Sequence, residues 1–233
     1  MLRVRKAALM LMLLVGAVAA QAAEKMRFVL SNFPPYAYEE HGKIIGLGVQ
    51  RVEKILHNAG IDYELSLVPN FGRVLQNLKE GKSDGFFLAS RNAERDAVAT
   101  LTLPVLLNRW VWVVPSGSKL DPGSSEFKTQ ARLGTHMHSN THVWLLQHGY
   151  TVTGAPSNIS NLLVMLKMDR INAILLSELV FNEALMRAGQ PIDGYSRMLH
   201  SEHHFGIYIA KTYLASHPGV LERINDEIRK AAL

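Results

Sequence analysis

Short apolar segments alternate with amphipathic helical segments along this chain, and no other feature restricts its fold so strongly. In the first half, strands are predicted at residues 26–31, 62–68 and 86–88, with helices at residues 46–59 and 71–80 between them. Strands and helices that alternate in this way form parallel sheets with right-handed crossover connections. In such open sheets, ligands bind beyond the carboxyl ends of the strands. The sequence therefore predicts an α/β protein with a binding site along one rim of its sheet.

The second half repeats this alternation after a turn-rich connection at residues 115–125. Its strands are predicted at residues 131–135, 151–153 and 172–176, and its helices at residues 140–148, 157–168 and 178–188. The last strand, at residues 205–210, and the helix after it are expected to return to the first half. We therefore predict two lobes, one formed by residues 23–114 and 200–233 and the other by residues 115–199. The chain would cross between the lobes twice, which makes a two-strand hinge above a cleft.

The first 22 residues have the features of a secretory signal peptide. Arg3, Arg5 and Lys6 precede an apolar run at residues 7–20, and small residues lead to a predicted cleavage site after Ala22. The apolar run is shorter than the roughly 20 residues that a membrane-spanning helix needs. Because the chain has no cysteine, an exported form must be held together by its core rather than by disulfides. We predict a soluble periplasmic protein.

The net charge does not indicate nucleic-acid binding. The chain carries a formal charge of +5, but three of these excess positive charges belong to the leader, which leaves +2. A nucleic-acid-binding surface needs basic residues clustered on one face, and the sequence shows no such cluster. We therefore expect no nucleic-acid partner and a monomeric chain.

The stretch at residues 84–95 predicts an anion-binding turn. A buried apolar strand ends there in a short polar turn, which brings Ser90, Arg91 and Arg95 to the start of a helix. Backbone N–H groups at a helix start, a serine hydroxyl and a guanidinium group together suit a carboxylate. We therefore expect Ser90 and Arg95 to bind a small anionic or zwitterionic solute.

Four segments in this order resemble the family 3 periplasmic solute-binding proteins, the polar amino-acid receptors of ABC importers. They are residues 33–36 (FPPY), the helix at residues 46–59, residues 78–85 (LKEGKSDG) and the strand that leads to residues 94–95 (ER). The resemblance implies the two-lobed type II architecture, in which each lobe is a mostly parallel sheet flanked by helices. It also implies a periplasmic protein that closes over an amino acid or related acid. The solute would then pass to an ABC permease or a membrane sensor.

The same resemblance implies roles for four residues of the first lobe. Arg95 matches the arginine that binds the α-carboxylate of the solute, and Ser90 lies close to a hydroxyl residue that assists it. Phe33 and Phe71 match aromatic positions that sandwich the aliphatic part of the solute. These residues form the carboxylate half of the predicted site.

The second lobe departs from the family pattern at three residues. Ser139 stands in a turn where the family has glycine and two threonines, and its hydroxyl can still contact a solute. Ser177 stands where the family has an acid that pairs with the solute ammonium. Glu178, the next residue, could replace that acid. A buried ammonium without a carboxylate partner is costly, so the solute could also be a carboxylate without an α-amine.

Two alternatives come from other function classes. Seven histidines suggest a metal or metal-chelate receptor, because imidazoles from both lobes could hold a transition metal. They are His136, His138, His142, His148, His200, His203 and His204. The other alternative is a periplasmic dehydratase on the same fold, with Glu178 as the acid and Arg95 as the carboxylate anchor. We favour a binding protein that is not an enzyme and needs no metal or cofactor.

Overall fold

The computed structural model describes residues 25–231, and these residues form a mixed α/β fold. The leader predicted at residues 1–22 lies outside the described part of the chain. Among the helices that are described, none is long and apolar enough to cross a membrane. The α/β class predicted from the alternating segments is confirmed.

The first half forms a parallel sheet with a small hairpin beside it. Its strands are β1 (Met26–Ser31), β2 (Tyr38–Glu40), β3 (Lys43–Ile45), β4 (Tyr63–Val68) and β5 (Gly85–Ala89), and its helices are α1 (Leu47–Asn58), α2 (Phe71–Lys79) and α3 (Ala93–Val98). β1 pairs in parallel with both β4 and β5, while β2 and β3 form the hairpin. The loops that follow β1, β4 and β5 therefore meet at one edge of the sheet.

The second half contains a similar parallel unit. Its strands are β8 (Leu133–Gly134), β9 (Val152–Gly154) and β10 (Ala173–Ser177), and its helices are α4 (Phe127–Gln130), α5 (Asn140–Gln147), α6 (Ser160–Lys167) and α7 (Glu178–Arg187). β8 pairs in parallel with β9 and with β10. The loops after β8 and β10 lie at the carboxyl ends of these strands, as the predicted binding rim requires.

Two long strands join the halves. They are β7 (Leu106–Pro115) and β11 (Tyr195–Ala210), with the short β6 (Ala99–Leu101) beside β11. β11 runs antiparallel to β7 along its first part and to β5 and β6 along its last part, whereas β7 pairs with β10. The predicted two-strand hinge is confirmed. Because both strands pass through the two halves of the sheet, the lobe boundaries at residues 114 and 199 stay a prediction.

The chain ends beside its first helix. After β11 come α8 (Lys211–Ser216) and α9 (Val220–Ala231). α9 buries Ile224 and Ile228, and the Arg51 guanidinium of α1 donates to the carbonyl of Ala231 at 3.1 Å. The final helix therefore packs on the first half, as the sequence predicted.

Local sequence signals explain why α2 begins at Phe71, one of the predicted site residues. The Asn70 side chain accepts a hydrogen bond from the Arg73 amide at 3.2 Å, which is the usual contact of an N-cap asparagine. Phe71, Val74 and Leu78 recur at helical spacing on the buried face. The cap and this apolar face together fix Phe71 at the first turn of α2, on the rim.

An ion pair anchors the other end of β5. The Asp84 carboxylate accepts hydrogen bonds from the Arg27 amide at 2.8 Å and from Nε and Nη2 of its guanidinium at 2.9 and 2.7 Å. Burial favours the neutral form of Asp84, but these bonds outweigh it and hold the pKa of Asp84 below its usual range. Asp84 therefore stabilises β1 against β5 and lies at the opposite end of β5 from Ser90.

Candidate functional site

Five of the seven predicted site residues line one small cavity at the carboxyl ends of the strands. They are Phe33, Phe71, Ser90, Arg95 and Ser177, and the cavity has a volume of about 20 Å³. A volume of this size holds about one water molecule, whereas ligand sites usually measure several hundred Å³. A solute can therefore enter only if the two halves separate.

Arg95 is a buried cation that has no ionic partner among the described residues. Its guanidinium Nη1 donates to the carbonyl of Ser90 at 2.6 Å, and the guanidinium carbon lies 5.0 Å from the centre of the Phe71 ring. Only 5 % of the residue is exposed, and no salt bridge reaches Arg95 within residues 25–231. Burial lowers the pKa of Arg95 to about 10. A buried charge of this kind is costly unless an anion meets it, so the site suits a carboxylate.

The acids next to Arg95 in sequence have other partners. Glu94 pairs with Lys79 at 2.9 Å, and Asp96 pairs with Arg91 at 3.1 Å and also accepts a hydrogen bond from the Tyr208 hydroxyl at 2.8 Å. They attract Arg95 only from a distance. The first turn of α3 directs Arg95 inward, while its neighbours point to the surface.

His136 packs against both of the predicted aromatic residues, Phe33 and Phe71, which also touch each other. Its imidazole is fully buried and stacks on the Phe33 ring at 5.6 Å with an angle of 12° between the planes. It meets Phe71 edge to face at 6.2 Å, and its Nε2 lies 3.1 Å from the carbonyl of Ser157. Burial, followed by the nearby His138 and His142, lowers the pKa of His136 to about 4, so the ring is neutral at pH 7. The flat group that packs on this aromatic pair therefore belongs to the protein itself.

Asn140 holds the two halves together beside the cavity. Its side-chain amide donates to the Ser90 hydroxyl at 2.8 Å, to the Ser90 carbonyl at 3.0 Å and to the Arg91 carbonyl at 3.3 Å. Its side-chain oxygen accepts a hydrogen bond from the Asn92 amide at 2.6 Å. These contacts cross the cleft and occupy the hydroxyl that the sequence assigned to a solute.

Ser139 and Glu178 lie outside the cavity. The Ser139 hydroxyl caps α5, donates to the His136 carbonyl at 2.7 Å and lies 2.7 Å from the Thr141 hydroxyl. Ser139 therefore shapes the loop that carries His136. Glu178 is half-exposed at the start of α7 and does not reach the cavity wall.

Four buried polar atoms around the cavity make no hydrogen bond of regular geometry with the described residues. They are the Tyr36 hydroxyl, Asn108 Oδ1, His136 Nδ1 and the Ser177 hydroxyl. The Ser177 hydroxyl comes near enough to Tyr36 to lower its pKa slightly, although burial has the larger effect and raises it. Buried polar atoms are nearly always paired in proteins, so this group marks a place where a polar molecule fits.

The seven histidines do not gather at one point. Among residues 25–231 no group of three or more His, Asp or Glu side chains has the arrangement of a metal site. His148 and His200 instead pack on Trp144 at 4.1 and 4.3 Å, and His203 packs on Trp110 at 3.9 Å. Three of the seven therefore belong to an aromatic layer, whereas His136 packs on Phe33 and Phe71, and the ring of His138 lies beside Gly72 at the start of α2.

The sequence pointed to His136 only as a possible metal ligand and gave no indication of Asn140 as a site residue. His136 lies in the loop after β8 and Asn140 begins α5 directly after that loop, so their place beyond the carboxyl end of a strand is the one sequence signal that could have placed them. Residue type alone does not show which residues the Asn140 amide and the His136 ring contact. Those contacts lie about 50 residues or more away in the chain.

Comparisons with known proteins agree with this fold. The family model of the bacterial extracellular solute-binding proteins, family 3, matches residues 27–231. No curated protein matches the chain.

Solved structures of binding proteins and sensor domains share the fold. Holo ArgBP from T. maritima has 19 % sequence identity and a TM-score of 0.73, covering 89 % of this chain and 90 % of its own. A histidine kinase sensor domain with similarity to periplasmic binding proteins has 15 % identity, a TM-score of 0.77 and coverages of 90 % and 92 %. The GluR0 ligand-binding core from Nostoc punctiforme, in complex with L-glutamate, has 16 % identity, a TM-score of 0.74 and coverages of 89 % and 92 %. Since the family model spans nearly all of the described residues, this chain belongs to family 3 of the bacterial extracellular solute-binding proteins.

Proposed function

We propose that this protein is a periplasmic receptor that binds a small carboxylate-bearing solute through Arg95 and Ser90. The observation that carries the proposal is the buried Arg95 guanidinium, which has one side-chain hydrogen bond and no ion pair among the described residues. A solute carboxylate would supply the missing charge and form a bidentate pair with the guanidinium. Family membership agrees with this role, since the family consists of solute-binding proteins.

Binding requires a hinge motion. The cavity of about 20 Å³ is too small for an amino acid or a related acid. Two antiparallel strands, β7 and β11, join the halves, and a bend in two strands is a common way to open a cleft. The solute would enter the open form and replace the contacts that Asn140 and His136 make across the cleft.

The receptor would deliver its solute to an ABC permease or to a membrane sensor after removal of the leader at Ala22. Proteins of this fold include an arginine-binding protein and a histidine kinase sensor domain, which supports both possibilities. We propose binding without catalysis, because the candidate acid Glu178 does not line the cavity.

A thermal-shift screen of the mature chain tests this proposal. Small carboxylates would be compared with the corresponding primary amides, which have nearly the same size but no charge. A solute at 100 times its Kd stabilises the folded state by about 2.7 kcal/mol, which corresponds to roughly 5–10 °C in Tm for a chain of this length. We expect shifts of this size from carboxylates only. Equal shifts from acids and amides, or none from any acid, would contradict the assigned role of Arg95.

A further inference from the structure

Phe33 and Phe71 touch each other edge to face and form two adjoining walls of a slot for a flat ring. Their rings lie 5.7 Å apart and nearly perpendicular, at 75°. The imidazole of His136 lies parallel to one wall and edge-on to the other, which is how aromatic rings prefer to pack. The slot therefore already accommodates a planar ring, and it belongs to the same wall as Arg95, since Phe71 contacts both His136 and the guanidinium.

The slot is next to a large groove that could receive the displaced ring or the body of a solute. The groove has a volume of about 730 Å³, within the usual range for ligand sites, and its lining includes Pro34, Leu67, Ile159 and Val180. Ser157 lies on its wall and contacts His136 through its carbonyl. A shift of the His136 loop would therefore connect the Arg95 cavity to a mainly apolar space.

The cavity contains one positive charge and no negative charge. No Asp or Glu is among the residues that line it. The described lining of the groove includes two acids, Glu39 and Glu183. Glu183 already pairs with Arg187 at 2.6 Å, which leaves Glu39 as the acid that could balance an ammonium there. An α-ammonium bound next to the carboxylate would lie near Arg95 without an acid to balance it, which is unfavourable in a site that excludes water.

We infer that the solute is a planar-ring carboxylate without an α-ammonium group. Its ring takes the place of the His136 imidazole against Phe33 and Phe71, and its carboxylate pairs with Arg95. This inference rests on the proposed function and narrows it to one class of solute. It also makes His136 a built-in competitor, because the solute must displace the imidazole before it can bind.

Calorimetric titration of the mature chain with three probes tests the solute class. The probes are 3-phenylpropionate, L-phenylalanine, which differs from it only by the α-ammonium, and hexanoate, which has a carboxylate but no ring. We expect 3-phenylpropionate to bind at least tenfold more tightly than either of the others. If L-phenylalanine binds as tightly or more tightly, the inference is wrong while the carboxylate-binding function stands. If hexanoate binds as tightly, or if none of the three binds while another carboxylate does in the thermal-shift screen, the inference alone fails.

The variant His136→Ala tests the competition directly. Removal of the imidazole empties the slot, so the affinity for 3-phenylpropionate should rise by at least threefold. His148→Ala is the matched control, because His148 also stacks on an aromatic ring but lies at the surface, away from the cavity. A fall in affinity for His136→Ala would show that the imidazole holds the solute rather than competing with it. The wild-type comparison of the three probes decides the solute class even if this variant does not fold.

Discussion

Replacement of Arg95 with glutamine should abolish most carboxylate binding and yet change the stability of the free protein only slightly. The loss of stability on replacement distinguishes a residue that stabilises the fold from one that binds a ligand. Removal of a structural buried charge leaves its partner unpaired and costs about 3–5 kcal/mol of stability. Arg95 has no such partner among residues 25–231, so its removal leaves no unpaired carboxylate there.

The expected size of the effect follows from the surroundings of Arg95. Burial lowers the pKa of Arg95 to about 10, and a change of this size means that the fold disfavours the charged form by about 3 kcal/mol. Against this, the variant loses the 2.6 Å hydrogen bond to Ser90, worth about 1.5–3 kcal/mol, and the contact with Phe71, worth about 0.5–2 kcal/mol. These terms oppose each other, so the free energy of unfolding should change by less than about 2 kcal/mol.

Binding should change much more. Loss of one partner from a buried, hydrogen-bonded charge pair costs about 2–5 kcal/mol, which is roughly 30-fold to several thousandfold in Kd. Urea denaturation of the free protein would measure stability, and calorimetry with a carboxylate found in the thermal-shift screen would measure affinity.

Arg91→Gln is the control for this experiment. Arg91 lies four residues before Arg95, its side chain is 74 % exposed, and it pairs with Asp96 at the surface. It should change neither quantity by more than about 1 kcal/mol. The reasoning is refuted if Arg95→Gln lowers the free energy of unfolding by more than 3 kcal/mol while the affinity stays the same.

Two further predictions concern the contacts across the cleft. Asn140→Ala removes the hydrogen bonds to Ser90 and Asn92, so the free protein should open and its radius of gyration in small-angle scattering should rise. The control Asn161→Ala, on the exposed face of α6, should leave the radius of gyration unchanged. Burial lowers the pKa of His136 in the folded protein to about 4, from 6.5 for a free histidine. The neutral imidazole therefore contributes to the stability of the fold above pH 6.5, and this contribution is lost as the pH falls towards 4. Between pH 7 and 5 the wild type should lose about 2 kcal/mol in urea denaturation that His136→Phe does not lose, and equal losses in both would contradict this.

The carboxylate half of the site could be predicted because it depends on local patterns. Ser90 and Arg95 follow the buried strand β5, and Phe71 begins α2 after a capping asparagine. Such positions can be read from apolar periodicity and cap residues, since the carboxyl ends of neighbouring parallel strands always share one edge. Ser90, Arg95 and Phe71 share a cavity because they follow or begin elements at this edge, while their role in binding stays a prediction.

Glu178 shows where this kind of prediction reaches its limit. Its place after β10 and at the start of α7 suggested a replacement for the family acid. Adjacency in sequence fixes the distance between Cα atoms but not the direction of a side chain, and at this turn Ser177 faces the cavity while Glu178 does not. The site therefore contains no acid, which changes the solute it suits.

The sequence by itself determined the α/β class, the two crossings between halves and the rim on which Arg95 lies, because each depends on periodicity and on the order of elements. Only the tertiary structure decided that His136 stacks on Phe33 and that Asn140 bonds to Ser90. These contacts join loops about 50 to 100 residues apart in the chain. They exist because the two halves of the sheet close on each other, and no local signal in either half records which side chains then meet.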